Sequence, residues 1–179
     1  MMNYRYYYIM EYLPKRYDAT RQQENDRQVI YDFKNGYCPN SMKEKIVSLI
    51  RHIVECEGGS NWRVCFIPAS NHLNTIRRYK ELSEYISSHT DYPCNVHTIS
   101  KEIDSESGHL SIKKVNPAEN FSICKDQVNN TNIILIDDVI TRGRTFWSTA
   151  IKLQLNGARQ VTGLFLAKTI NPDWISHSA

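Results

Sequence analysis

Apolar runs and helical-period faces alternate along this chain. Ile133-Ile134-Leu135-Ile136 is an unbroken apolar run, the pattern of a parallel strand buried on both faces. Val161 to Ala167 is a second such run, and Arg63 to Ile67 a third that Pro68 stops. Val96 to Ile99 reads as a further short strand, and the aromatic, β-prone stretch Tyr4 to Tyr12 as another. Between these runs the period changes. Met42, Ile46, Leu49, Ile50 and Ile53 fall on one face of a helix that Ser41-Met42-Lys43-Glu44 opens as a capping box and Gly58-Gly59 ends. Ile76, Tyr79, Leu82 and Ile86 repeat in the same way behind Asn74 as a cap. Thr145 to Leu155 is a third helix, with Gly157 as its stop. Pro14 to Arg27 is polar and predicts a loop or irregular helix. Lys101 to Phe121 predicts a long loop, of a kind that compact domains keep mainly for function. Strands alternating with helices predict an α/β architecture of right-handed βαβ units: a twisted, mainly parallel sheet flanked by helices.

Composition narrows the class. A chain of 179 residues predicts a single domain spanning 1–179. It is long enough to bury roughly 70% of its unfolded surface. With 41% hydrophobic and 23% charged residues it reads as an ordinary globular protein, and a net charge of +3 demands no nucleic-acid partner. Cys38, Cys56, Cys65, Cys94 and Cys124 are scattered, with no C-x-x-C pair. They are expected to be reduced thiols of a cytoplasmic protein. No apolar run approaches the ~20 residues of a membrane span, and the first ten residues carry no signal-peptide core. No G-x-x-x-x-G-K-[ST] loop is present, which argues against a P-loop kinase.

The chemistry concentrates in Ile133-Ile134-Leu135-Ile136-Asp137-Asp138-Val139-Ile140-Thr141-Arg142-Gly143-Arg144-Thr145. Two carboxylates stand where the apolar strand is expected to end, and a Thr/Gly loop leads from them into a helix. Ligands of open α/β sheets sit beyond the carboxyl ends of strands. A helix N-terminus offers free N–H donors and a favourable dipole to a phosphate. Asp137 and Asp138 can accept ribose hydroxyls, Gly143 lets backbone approach an anion, and Thr145 can cap the helix. Taken singly, the acids could do no more than cap the turn.

This stretch resembles the 5-phosphoribosyl-1-pyrophosphate (PRPP) motif of the type I phosphoribosyltransferases: an apolar strand, two acids, two apolar residues, then a Thr/Gly loop closing on Thr. Arg142 departs from it, standing where many members have a small residue; its fork of donors could meet phosphate or point to solvent. A second likeness lies in Phe66-Ile67-Pro68-Ala69-Ser70, placed where the family keeps its pyrophosphate loop, with Arg77-Arg78-Tyr79 after it. That proline-containing turn, the Arg–aromatic pair and the close at Asn120-Phe121 are similar to the ComF-like, competence-associated branch. The likeness covers roughly residues 60–168, and 1–40 and 169–179 are left as hood or accessory segments.

The resemblance implies the type I phosphoribosyltransferase fold with a small hood from the termini, drawn from the Tyr-rich start and Asn171-Pro172-Asp173-Trp174. It implies transfer of 5-phosphoribosyl from PRPP to a nitrogenous base with release of pyrophosphate, and Mg²⁺ as cofactor. Asp137 and Asp138 would hold the ribose hydroxyls and contribute to the metal site. Thr141, Arg142, Gly143, Arg144 and Thr145 would hold the 5′-phosphate. Ala69, Ser70, Arg77 and Arg78 would face pyrophosphate, the two arginines being otherwise a solvated helix face. Lys113 and Lys114 would act from the long loop on the leaving group, or stay solvated; His109 is a poorer candidate. Thr141 stands where members acting on hypoxanthine or guanine often carry Asp, which argues against a 6-oxopurine. The acceptor base is not indicated, and a homodimer is left open. A different class also fits: a non-catalytic PRPP-binding regulator, or a ComF-like DNA-uptake protein.

Overall fold

A computed structural model describes residues 4–101 and 116–172. Its elements in chain order are β1 (Tyr6–Tyr12), α1 (Arg21–Lys34), α2 (Asn40–Glu57), β2 (Trp62–Phe66), α3 (His72–His89), β3 (Ile99–Lys101), β4 (Phe121–Ile123), α4 (Lys125–Val128), β5 (Asn132–Ile140), α5 (Arg144–Leu155) and β6 (Gln160–Thr169). The main sheet has the order β1-β6-β5-β2, with every pairing parallel. β3 and β4 form a separate antiparallel pair. The fold is therefore α/β with a parallel sheet, as the alternation of runs and periods predicts.

The period of two along β5 decides which core each residue joins. Ile134 and Ile136 pack with residues of α1, α2 and α3 on one face of the sheet. Ile133 and Leu135 pack with Phe146, Ala150 and Leu153 of α5, and with Val128, Ile99 and Phe121, on the other. All four β5 residues are 0% exposed. Burying each contributes about 1.5–3 kcal/mol, so the central strand is an anchored platform for the acids and the loop at its carboxyl end. No helix among the described residues is long and apolar enough to cross a membrane.

Several local expectations need correction. The polar stretch before Ile30 is not a loop throughout: α1 begins at Arg21, opened by a capping box of Thr20 and Gln23. The box expected at Ser41 does not form. Pro39 is the N-cap of α2 and offers no side-chain acceptor, so Ser41 already lies within the helix. Asn71, not Asn74, caps α3; its side chain accepts the Asn74 N–H at 2.9 Å. Val96 to Thr98 is not a strand. The Asn95 side chain takes the His97 N–H at 2.8 Å and turns the chain, so only Cys94 bridges to Val64 of β2. β5 does not stop at Ile136 but runs through both aspartates to Ile140. The Tyr-rich start joins the main sheet as edge strand β1. The loop behind it, through Tyr17, reaches Asn171 just past the end of β6 (2.5 Å).

Arg27 fixes that loop. The residue is 3% exposed, and its guanidinium donates to the carbonyls of Leu13 (2.7 Å), Pro14 (2.8 Å) and Tyr17 (2.8 Å). A buried charge with three carbonyls satisfied is stable where an unpaired one is not.

Candidate functional site

The site lies at the carboxyl ends of β5 and β2, where α3 and α5 begin. Asp137 and Asp138 occupy the last part of β5, with side chains 18% and 12% exposed. Asp137 accepts from the Tyr79 hydroxyl at 3.1 Å and from the Asp138 N–H at 2.8 Å. Asp138 accepts from Arg78 Nη1 at 3.0 Å and from the Val139 N–H at 2.6 Å, and Lys34 Nζ stands 3.6 Å away. Arg78 Nη1 also lies 4.0 Å from Asp137. The two acids thus share one cation rather than occupying unrelated surroundings.

Burial and the neighbouring charge of Asp138 push Asp137 up to about 7, against the opposing pull of the Asp138 N–H, Arg78 and Tyr79. Burial, with the two carboxylates behind it, raises the Tyr79 phenol well above its ordinary range, so it is a neutral donor at physiological pH. A carboxyl raised when folded binds more protons than the unfolded chain between about pH 4 and 7. Stability is therefore lost as pH rises through that window. Asp137→Asn should flatten this fall and raise the melting temperature at pH 8 by a few degrees, roughly 1 kcal/mol. Thermal melts of both proteins from pH 4 to 8 check it; parallel curves would contradict the assignment.

Beyond Ile140 the chain bends at Thr141-Arg142, and Gly143 takes a left-handed conformation (φ 69°, ψ 3°) as the N-cap of α5. No side chain caps this helix, so Thr145 is inside its first turn rather than at the cap. The Thr141 and Thr169 hydroxyls meet at 2.8 Å and tie the loop to the end of β6. A cavity of about 330 Å³ opens here, lined by Asp137, Thr141, Gly143 and Thr145 among others. Arg142 and Arg144 are exposed at its rim. The Trp147 ring covers the far side of Gly143, where an added Cβ would lie 3.1 Å from it. An uncapped helix start, a glycine in the loop and a carboxylate lining the same cavity are suited to a ligand that carries both an anionic group and hydroxyls.

The turn after β2 is differently equipped. The Ala69 N–H already donates to Thr75 Oγ1 at 3.0 Å. Ser70 is exposed; its hydroxyl accepts from Asn74 at 2.7 Å and its carbonyl from Lys101 at 2.7 Å. Arg77 is exposed and donates to Asn74 at 2.9 Å, whereas Arg78 turns inward onto the acids. The structure thus separates two adjacent arginines that the sequence treats alike. Lys113, Lys114 and His109 lie outside the described residues, as do Asp173 and Trp174. Tyr79 and Lys34 are members of the site that sequence reasoning missed. A buried tyrosine needs a partner for its hydroxyl, which was a usable signal. Lys34 gave none, because its carboxylate lies far along the chain.

Among the described residues no group of three or more His, Cys, Asp or Glu side chains could hold a metal ion. The carboxylate pair alone suits Mg²⁺, which is commonly held by one or two carboxylates with water and substrate phosphate completing its shell.

No family model matches the chain, and no curated protein matches it. Solved structures do. A hypoxanthine-guanine phosphoribosyltransferase from Bacillus anthracis is 14% identical, with a TM-score of 0.43 over 73% of this chain and 67% of its own. The allosteric regulatory enzyme of purine biosynthesis is 14% identical, with a TM-score of 0.47 over 76% of this chain, which spans 30% of that enzyme. A hypoxanthine-guanine phosphoribosyltransferase from Schistosoma mansoni, in complex with IMP, is 8% identical, with a TM-score of 0.36 over 93% of this chain and 83% of its own.

Proposed function

We propose that this chain is a phosphoribosyltransferase that binds PRPP with Mg²⁺ and passes the 5-phosphoribosyl group to a nitrogenous base. One observation carries the reading: two neighbouring carboxylates stand in the last part of a buried central strand, and one of them, Asp137, lines a cavity of about 330 Å³ together with the glycine-started, uncapped helix that follows. In this assignment Asp137 and Asp138 accept the ribose hydroxyls. Thr141, Gly143 and Thr145, with Arg142 and Arg144 at the rim, take the 5′-phosphate. Ser70, Arg77 and Arg78 are assigned to pyrophosphate; Ala69 belongs to the same turn, but its N–H is already given to Thr75. Lys113 and Lys114 would approach from their loop.

The base nitrogen bonds to C1 of the ribose, and the C1–O bond breaks with its electrons leaving on pyrophosphate. The nitrogen's proton passes to solvent or to the leaving group. The protein needs no nucleophile of its own; it contributes alignment and charge placement. Mg²⁺, when bound, would neutralise charge on the leaving pyrophosphate, with Asp137 and Asp138 as the residues to hold it.

A second reading, a PRPP-binding regulator without turnover, is favoured by the Ala69 N–H, which is spent on Thr75 instead of facing an anion. Incubation with PRPP, Mg²⁺ and a panel of purine, pyrimidine and nicotinate-type bases separates the two. Pyrophosphate release with one base supports the transferase. PRPP binding without release across the panel supports the regulator, and no binding at all removes both.

A further inference from the structure

Arg78 has an arrangement that neither an idle helix arginine nor a simple pyrophosphate contact requires. Among the described residues it is the nearest cation to both acids, at 3.0 Å from Asp138 and 4.0 Å from Asp137. Its side chain is 14% exposed, and its Nε is buried with no hydrogen-bond partner among the described residues. A buried donor left unpaired is costly, and an arriving acceptor would relieve it. Tyr79 donates to Asp137 and Lys34 stands beside Asp138, so part of the carboxylate edge that sugar hydroxyls need is already occupied.

We propose that Arg78 exchanges partners. In the ligand-free site it covers Asp138; when a diphosphate anion arrives, the guanidinium turns to it, satisfies Nε, and uncovers the carboxylates for the sugar hydroxyls. This rests on the reading of the acid pair as a ribose site. Anion capture and sugar capture are then coupled through one side chain, and the coupling must be reciprocal. A planar, two-pronged guanidinium suits the exchange because carboxylate and phosphate oxygens present matching geometry. Lys34 lies on the acid side only and shares the covering role without the transfer.

Separate titrations of the folded protein with ribose 5-phosphate and with inorganic pyrophosphate, by calorimetry, test this. Arg78→Gln should weaken pyrophosphate binding about tenfold or more and tighten ribose 5-phosphate binding about fivefold, since hydrogen bonds to charged partners are lost on one side and freed on the other. Lys34→Met should tighten ribose 5-phosphate and leave pyrophosphate unchanged. Arg78→Lys, which keeps the charge and loses the fork, should fall between wild type and Arg78→Gln in both titrations, and it serves if Arg78→Gln fails to fold. Both ligands weakening together, or only one responding to Arg78→Gln, overturns the exchange. Ribose 5-phosphate failing to bind the wild-type protein overturns the ribose assignment itself, a distinct result.

Discussion

Asn at both 137 and 138 should reduce PRPP affinity by at least about 100-fold, since hydrogen bonds to charged acceptors contribute roughly 1.5–3 kcal/mol each. The double variant should nevertheless fold. Removing the Asp137 carboxyl relieves a group that burial pushes up to about 7. Removing the Asp138 carboxyl takes away the closest partner of Arg78, whose side chain is 14% exposed. A buried cation without its partner is destabilising. The two effects oppose each other, so the melting temperature should move by only a few degrees while binding collapses. Calorimetric titration with PRPP, set beside a thermal melt, checks both halves. Undiminished affinity in a folded variant would mean that the acids are not the sugar site.

The second large effect concerns stability. Gly163 lies in the middle of β6, between Tyr6 of β1 and Leu135 of β5. A Cβ there would meet the Phe165 ring at 2.7 Å and the Phe146 ring at 2.9 Å. Both rings are 1% exposed and pack edge to face, so neither has free space to retreat into. Overpacking of this kind costs typically 1–3 kcal/mol. Gly163→Ala should lower the melting temperature by roughly 4–8 °C, and Gly163→Val by more. Phe146→Leu combined with Gly163→Ala should recover part of the loss, because the two sites share one contact and are not additive. An unchanged melt for Gly163→Ala would show that the rings yield easily. Phe146 also lies in the first turn of α5 and lines the cavity beside Gly143, so this glycine supports the candidate site through that ring.

Much of this was legible in the sequence. The run Ile133 to Ile136 announced a strand buried on both sides because each of its two faces meets its own core. The helix faces at Ile46, Ile50, Tyr79 and Leu82 came from period alone. The acid pair and Gly143 could be read because their neighbours in space are neighbours in sequence. What escaped was long-range or polar. Arg27 and Lys34 read in sequence like any solvated basic residue, and Arg78, although assigned to the site, could not be told from Arg77; their placement depends on carboxylates and carbonyls brought to them by tertiary packing. Thr20-x-x-Gln23 was a readable start signal for α1, masked by the polar residues around it. The Val96 to Thr98 stretch looked β-prone, but the Asn95 side chain turned the backbone instead. The sheet itself also hid one feature: the pairing of β1 with β6 leaves no local mark.

That pairing has a consequence for how the molecule comes into being. The aromatic opening strand finds hydrogen-bond partners in the main sheet only in β6, the last of the described strands to leave the ribosome. Every other layer can begin to assemble while it waits. Until β6 docks, β1 has no partner in the main sheet and its tyrosine-rich edge stays unpaired, which favours slow closure of the sheet and a need for protection from self-association.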